Sequence, residues 1–406
     1  MRKLTLFICS VLQIQIHAQN LNNFDELYRL ALKSNSEIQQ FVLQNESLEY
    51  KRKSVSLFDP TEVSAIIGQN NSHLRDANYQ ISQSISNPYK FIQKGNVLKQ
   101  KLFLNDMEKI QFERKLKLKL SQHWYKAIYW KHIEKLTLKE DSLIVEFVKI
   151  AKAKVKFGEA KTIEKSIAEL EASMIQQDLL EIDGKYRDEI LALKLLLNQN
   201  IDILPTASSL ILELPAVGSI SDKHSNLNVA NALLNLSKQE LKYARSSLLP
   251  DIRVGYNLQS IVGPQEIGGV VKYYDRQPRF QSLHLGLSFP LFNWRSNSNM
   301  LRSNKVEIAA QMLGVEREKF ALQQQLDNEI KHYQIQKQIY QNYISGSLMA
   351  AEEMTRKAKF AYQDGEIPYI EYLQSIQSSW ELQKKYFQSI DELNQSILLI
   401  QYYTQP

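Results

Sequence analysis

The sequence predicts a mainly α-helical protein with a small β part, arranged as two tandem structural repeats. Three observations support this prediction: long stretches with helical spacing of apolar residues, two short segments in which apolar and polar residues alternate, and a second half that repeats the order of the first. The chain has 406 residues, and its 13 glycines are too few for a mostly β protein. The net charge of +6 is spread along the chain, which favours solvated helix surfaces over nucleic-acid binding.

Residues 1–18 have the pattern of a secretory signal peptide, with two basic residues, a short apolar stretch and a cleavage point after Ala18. A buried helix or a membrane anchor is the alternative, but the apolar run is too short to span a bilayer. The only cysteine, Cys9, lies in this segment, so the mature chain is expected to lack disulfides and thiolate sites. Ile8 stands where a lipoprotein signal needs a small residue, which argues against lipidation.

The first repeat spans residues 19–197 and is expected to contain a helix, a β-hairpin over 60–88, a long helix over 91–157 and a helix over 160–197. Residues 116–120 alternate like a strand. Because their flanks keep helical spacing and no turn signal brackets them, they are predicted to be helical. A 65-residue helix would be roughly 100 Å long, which suggests coiled-coil packing.

A segment over 198–222 that is rich in asparagine, proline, serine and glycine separates the repeats and is interpreted as an equatorial connection. The second repeat spans residues 223–406 and is expected to contain a helix, a β-hairpin over 250–290, a long helix over 298–362 and a helix over 367–402. Gly158 and Gly365 break the helical pattern at corresponding points of the two halves. The second hairpin is longer because of residues 261–279, which are predicted to form a loop.

The second hairpin has one apolar and one polar face. The apolar face is formed by Ile252, Val254, Tyr256, Leu283, Leu285 and Leu287. Its strands have the length of tilted transmembrane strands, so this face is predicted to contact lipid. Arg253 and His284 lie on the opposite face and would line a barrel lumen. Trp294 and Tyr89 follow the closing prolines and are candidate aromatic anchors at the lipid interface, with packing between barrel and helices as the alternative.

Four strands cannot close a membrane barrel by themselves. Open strand edges do not occur in lipid, and the smallest common barrels have about eight strands. Other copies of the chain are therefore expected to complete a closed ring. The polar helices would project from it as a shared soluble bundle, so the assembly would be a conduit.

Four sequence segments resemble the TolC-type outer membrane efflux channel family: 244–251 before a strand, 287–292 after its partner, 360–367 at a helix end and 369–373 in the next helix. The resemblance covers essentially all of the mature chain and implies a homotrimer. It further implies a 12-stranded β-barrel in the outer membrane of a Gram-negative bacterium and an α-helical barrel in the periplasm.

The same resemblance implies the function and the partners. The chain would be the exit duct of a tripartite efflux system for small solutes or metal ions. It would work with a periplasmic adaptor protein and an inner-membrane pump of the resistance-nodulation-division type. No cofactor is expected.

The resemblance also suggests residues at the periplasmic mouth of the tunnel. Glu371 matches an acidic position that gates the tunnel, whereas the second acidic position of the family is Gln374 here. Glu164 occupies the corresponding place in the first repeat, and Tyr362 matches a position that holds the mouth closed. The alternatives are solvated surface glutamates and an aromatic residue in a coiled-coil seam.

The turns at Gly158 and Gly365 would be the sites where adaptor tips dock. A helix C-cap with positive φ explains both glycines equally well, and the two interpretations are compatible.

No catalytic constellation and no metal-ligand spacing is present in the sequence. Two other classes remain open. One is a periplasmic coiled-coil scaffold without channel activity, which would be extracted without detergent. The other is a helical enzyme, for which the sequence offers no catalytic residues.

Overall fold

The computed structural model describes residues 21–207, 209–214 and 224–405. The predicted signal peptide and part of the segment over 198–222 lie outside these residues. The helices are α1 (Phe24–Ser34), α2 (Ser36–Lys53), α3 (Pro88–Lys156), α4 (Thr162–Leu197), α5 (Ser225–Ser246), α6 (Trp294–Asn342), α7 (Leu348–Gln363) and α8 (Tyr369–Thr404). The strands are β1 (Glu62–Gly68), β2 (Asp76–Ile85), β3 (Asp251–Gln259), β4 (Gly263–Ile267), β5 (Val270–Tyr274) and β6 (Phe280–Ser288). The prediction of a mainly helical protein with a small β part is confirmed, and residues 116–120 lie within α3.

The described residues form two compact units. The first contains α1, the part of α3 from Phe112 onward, α4, the end of α6 from Gln323, α7 and α8. It has two buried apolar clusters. One is centred on Trp124 and packs α1, α3 and α4 together, and the other is centred on Ile376 and joins α3, α4, α7 and α8. None of the described helices is long and apolar enough to cross a lipid bilayer.

The first helical stretch of the sequence is two helices, because Asn35 interrupts it. The Asn35 side-chain oxygen accepts hydrogen bonds from the backbone N–H groups of Glu37 and Ile38, at 2.9 and 3.3 Å. Its amide donates to the Leu196 carbonyl at 2.9 Å, near the end of α4. A single residue therefore starts α2 and ties it to the end of α4.

The predicted helix over 298–362 is also interrupted. Residues Tyr343–Ser347 form a π-helical segment between α6 and α7, and Gly346 within it has an extended φ of 172°. In contrast, α3 is one helix of 69 residues. At the interruption between α6 and α7, the sequence shows only Gly346 between two serines. A single glycine is usually tolerated inside a helix, so the sequence did not predict this interruption.

Two ion pairs, each between a half-buried lysine and a buried carboxylate, connect α3 to α8 in the first unit. Lys126 contacts Asp391 at 2.5 Å, and Lys384 contacts Glu140 at 3.0 Å. The two carboxylate side chains are each only 2% exposed, and burial raises the pKa of both. Each helix contributes one cation and one anion, so shifting or reversing the helices would break both pairs.

The second unit contains α2 from Gln40, the start of α3, α5, the start of α6 and all six strands. Strands β1, β2, β3 and β6 form an antiparallel sheet in that order. Ser260 links β3 to β2, because its backbone N–H donates to the Ala77 carbonyl at 2.8 Å and its hydroxyl accepts from the Ala77 N–H at 2.9 Å.

Strands β4 and β5 form a separate hairpin inside residues 261–279, so the prediction of a plain loop there is wrong. The turn residues Gly268 and Gly269 have φ values of 59° and 81°. Positive φ at both positions is the requirement of a type I′ hairpin turn, which glycine meets without strain. Pro264 and the short length of the strands obscure the alternating pattern in the sequence.

Candidate functional site

The register of the sheet places the predicted apolar set on one face. Residue pairs across β3 and β6 are Ile252 with Leu287, Val254 with Leu285, and Tyr256 with Leu283. Directly paired residues point to the same side of a sheet. The three leucines of β6 are 78%, 82% and 64% exposed, which is unusual for large apolar side chains arranged in a row.

The first hairpin extends this apolar face over all four strands. Ile81 of β2 is paired with Val63 of β1 on one side and with Tyr256 of β3 on the other. Ile81 and Val63 are both exposed. A soluble protein rarely exposes a continuous apolar surface across an entire sheet. Such a surface is typical of a face that contacts lipid or another protein.

The opposite face is polar and contains Arg253 and His284, as the sequence predicts. Arg253 is paired with Gly286 across β3 and β6, and His284 is paired with Gly255. These two residue pairs are neighbours on the polar face. The His284 ring nitrogen is 3.1 Å from the Ser282 hydroxyl, on the same face. In the part of the chain that the structure describes, no cluster of residues suits a metal ion.

The outer edges of the sheet are β1 and β6. Within the described residues, neither has a second strand partner. Their backbone groups on the outer side can therefore pair with another chain. Among the described residues, the apolar face and its two unpaired edges define a first candidate site, in the second unit.

A second candidate site lies in the first unit, at the α3–α4 and α7–α8 turns, which have the same geometry. Gly158 and Gly365 both have a φ of 76°. The N–H groups of Glu159 and Glu366 donate to carbonyls five residues back, at 2.9 and 2.8 Å. The N–H groups of Gly158 and Gly365 donate to the Val155 and Tyr362 carbonyls, three residues back. These two hydrogen bonds together make each turn a Schellman motif.

Replacing Gly365 with alanine is expected to destabilise the α7–α8 turn by about 1–2 kcal/mol, because a side chain at positive φ meets its own carbonyl. The space around the glycine is open, so the cost comes from backbone strain alone. Gly184 is the matched control: it lies inside α4 with equally open surroundings. Its replacement by alanine should stabilise the protein by about 0.5–1 kcal/mol. Thermal unfolding of both variants measures the difference, and equal effects would contradict the strain argument.

Tyr362 belongs to an aromatic cluster beside these turns. Its ring stacks on Tyr372 with centroids 5.0 Å apart and an angle of 4° between the planes. Phe147 of α3 contacts both tyrosines and also Tyr369, with centroids 4.9–6.0 Å apart. The Lys154 amine lies 4.9 Å from the Tyr362 ring, a distance that suits a cation–π contact.

The cluster holds its two buried tyrosines in the neutral form. Burial raises the pKa of Tyr369 and of Tyr372 to about 12, with smaller contributions from Glu171 and Glu146 respectively. The Tyr369 hydroxyl is buried and has no hydrogen-bond partner among the described residues. Sequence reasoning singled out only Tyr362. The recurrence of tyrosine at 362, 369 and 372 was the signal that could have indicated a shared contact.

The two predicted gate glutamates are in different surroundings. Glu371 is exposed in the first turn of α8, next to the buried Tyr372. Glu164 is half-buried in the first turn of α4. A carboxylate near a helix N-terminus is stabilised by the helix dipole, so both positions favour an acidic residue for structural reasons as well.

Neither a family model nor a curated protein sequence matches the chain. Solved structures do match it. The outer-membrane channel OprN has a TM-score of 0.78 at 14% identity, covering 94% of this chain and 89% of that one. CusC has a TM-score of 0.77 at 12% identity, covering 94% and 92%. The open state of the Neisseria gonorrhoeae MtrE outer membrane channel has a TM-score of 0.69 at 15% identity, covering 94% and 88%.

The chain therefore has the fold of outer membrane channel proteins over nearly its full length. The resemblance to TolC-type channels that the sequence suggested is confirmed at the level of the fold.

Proposed function

We propose that the protein is the outer membrane exit duct of a tripartite efflux system and passes small solutes or metal ions to the exterior. The observation that carries this proposal is the sheet of β1, β2, β3 and β6, with one exposed apolar face, one polar face and two unpaired edges. Lipid would cover the apolar face, and other copies would pair with the edges.

Three copies fit this sheet better than two. Two copies would supply about eight strands, and a barrel of that size is filled by its own side chains. Three copies would give twelve strands and leave space for solutes between the polar faces, where Arg253 and His284 lie. Each half of the chain would contribute one hairpin, as in a tandem repeat, and the helices would form the tunnel wall.

The location and partners follow from this assembly. The barrel would sit in the outer membrane of a Gram-negative bacterium and the helices in the periplasm. The turns at Gly158 and Gly365 would receive a periplasmic adaptor, which links the duct to an inner-membrane pump of the resistance-nodulation-division type. The shared Schellman geometry supports this assignment, because it presents both turns in the same rigid form.

Membrane fractionation and conductance test the proposal together. We expect the protein in the outer membrane fraction, released only by detergent, and ion-conducting after reconstitution into planar bilayers. A periplasmic scaffold is the alternative, with its hairpins buried against protein. Release by osmotic shock without detergent, and no conductance, would support the scaffold and overturn the channel.

Glu371→Gln is expected to reduce the cation preference of the reconstituted channel and its block by multivalent cations. Three exposed carboxylates around a threefold constriction would concentrate cations there. Glu164→Gln is the matched control, since it removes the same charge from the corresponding turn of the first repeat and should have the smaller effect. Reversal potentials in a salt gradient measure the preference. Unchanged selectivity and block in Glu371→Gln and Glu371→Ala would remove Glu371 from the gate.

A further inference from the structure

The β4–β5 hairpin has a base that is fixed to the loop of the first hairpin. The backbone N–H of Val262 donates to the Ser72 hydroxyl at 3.1 Å, and this hydroxyl is 3.0 Å from the Asp76 carboxylate. The carboxylate also accepts hydrogen bonds from the Asn70 and Asn71 N–H groups, at 2.9 and 2.6 Å. Val262 and Asp76 are both buried. Because hydrogen bonds away from water are strong, these contacts hold the base in one position.

The chain bends at Gly263, the first residue of β4. This glycine has a φ of 119°, which a residue without a β-carbon adopts without strain. It is buried, and a β-carbon placed there would be 3.9 Å from the Leu74 Cδ1 atom. The bend is therefore packed against the same loop that binds Val262.

A ring contact places the hairpin on the polar face of the four-stranded sheet. Phe280 is paired with Gln259 and alternates with Ser282 and His284, so its side chain lies on the polar face. The Tyr274 ring, at the end of β5, contacts the Phe280 ring with centroids 5.2 Å apart. Phe280 is half-buried, whereas the other residues of β6 are exposed. The hairpin therefore leans toward the polar face rather than toward the apolar one.

The side of the hairpin that carries Tyr274 is otherwise polar near its base. Alternate residues of a strand share a side, so Lys272 and its partner Gln265 lie on the same side as Tyr274. The Lys272 amine is 5.4 Å from the centre of the Tyr274 ring. This side of the hairpin suits a water-filled space.

We propose that the β4–β5 hairpin is a lid over the outer end of the lumen, held there by the contacts of Ser72 and Tyr274. The proposal rests on the proposed function, in which the polar faces of three sheets enclose the lumen. The hairpin connects the ends of β3 and β6 that are farthest along the chain from α5 and α6, so it lies at the exterior end of the duct. Three hairpins, one from each copy, would restrict the passage of large solutes.

A hairpin that projects outward to meet an external partner is the alternative. The lid is favoured because the contact between Tyr274 and Phe280 lies on the polar face, where a projecting hairpin needs no contact. The separate attachment of Val262 to Ser72 fixes the base from a second side. Two attachments at different strands leave the hairpin little freedom to swing outward.

Thiol labelling of intact cells tests the lid independently of the periplasmic mouth. The mature chain is expected to lack cysteine, so Ser282→Cys introduces a single thiol on the polar face, two residues beyond Phe280. Replacing residues 264–273 with two glycines joins the paired residues Gly263 and Tyr274 by a short turn and keeps the base.

Maleimides linked to polymers of increasing size are added outside the cells. Polymers too large for porins can reach the lumen only through its outer end. We expect the largest polymers that label Ser282→Cys in the shortened variant to give no labelling when the hairpin has its full length. Equal labelling by these polymers in the two variants would overturn the lid and leave the channel intact.

Two controls accompany this comparison. A small maleimide should label Ser282→Cys equally with the full and the shortened hairpin, because the thiol is exposed in both. Tyr273→Cys, at a position 67% exposed on the hairpin itself, should be labelled by polymers of every size. Absence of all labelling at Tyr273→Cys on intact cells would mean that the protein is not at the outer surface. The proposed function would then fail together with the lid.

The double variant Ser72→Ala with Tyr274→Ala tests the attachments in a hairpin of full length. It removes the hydroxyl that accepts the Val262 N–H and the ring that contacts Phe280. Large polymers should now label Ser282→Cys, as they do in the shortened variant.

Asn71→Ala with Tyr273→Ala is the matched control for this double variant. Asn71 contacts Asp76 through its backbone N–H, which the substitution leaves in place, and Tyr273 lies on the other side of the hairpin from Tyr274. We expect this control to exclude the large polymers as the unmodified hairpin does. Equal labelling in the two double variants would show that Ser72 and Tyr274 do not hold the lid.

Discussion

Replacing Lys384 with methionine is expected to destabilise the first unit by about 3–5 kcal/mol, because it leaves a buried carboxylate without its cation. Lys384 contacts Glu140 at 3.0 Å and Asp178 at 3.7 Å. The Glu140 side chain is only 2% exposed, and one of its oxygens already lacks a hydrogen-bond partner among the described residues. Thermal unfolding followed by circular dichroism should show a fall in midpoint on the order of 10 °C.

Two variants control this result. Lys385→Met removes the neighbouring charge, but the Lys385–Glu381 pair is exposed on the surface of α8, so little change is expected. Glu140→Gln combined with Lys384→Met removes the buried charge itself and should recover most of the stability. If Lys384→Met and Lys385→Met have equal effects, the buried pair does not hold α3 to α8.

The destabilisation caused by Lys384→Met should be smaller at acidic pH. Burial raises the pKa of Glu140 above its usual value of 4.5, and Lys384 opposes this shift. Without Lys384 the pKa rises further. A carboxyl whose folded pKa is raised stabilises the fold below its unfolded pKa, and this stabilisation is lost as pH rises through the folded value. The Lys384→Met variant should therefore be closest to the unmodified protein near pH 4 and furthest from it at neutral pH.

Phe147→Ala is expected to destabilise the α3–α4 and α7–α8 turn region by about 3–5 kcal/mol, because it empties the centre of the aromatic cluster. Phe147 is 7% exposed and contacts Tyr362, Tyr369 and Tyr372. Phe157→Ala is the matched control, since Phe157 is 76% exposed near the same turn and its loss should cost less than about 0.5 kcal/mol. Similar unfolding midpoints for the two variants would contradict the role of the cluster.

The ionisation of Tyr369 and Tyr372 is a second test of the effect of Phe147→Ala on the aromatic cluster. Burial raises the pKa of Tyr369 and of Tyr372 to about 12 from the usual 10.0. Their contribution to stability is therefore present below pH 10 and is lost as pH rises through 12. In Phe147→Ala, water reaches both rings, so two more tyrosines should ionise near pH 10 in an ultraviolet titration. An unchanged titration curve would mean that the cluster stays dry without Phe147.

The sheet and the long helices could be predicted from the sequence because their signals are local. Alternation from Ile252 to Leu258 and from Leu283 to Phe289 gives the strands and the apolar face directly. Helical spacing persists through residues 116–120, which lie inside α3. The glycine at position 365 predicts a turn because only glycine adopts its φ of 76° without strain.

The remaining features depend on contacts between distant residues. Lys126 and Asp391 look like ordinary surface charges in a polar helix, and only the packing of α3 against α8 makes Asp391 buried. The packing of α3 against α7 and α8 brings Phe147 to Tyr362 and Tyr372. Periodicity in one segment carries no information about such partners.

Single-particle electron microscopy of the detergent-extracted, full-length protein tests the central claim most directly. We predict a threefold particle in which β6 of each copy pairs with β1 of the next and closes a twelve-stranded barrel. A compact monomer that remains soluble without detergent, with its apolar sheet face covered by protein, would contradict the channel.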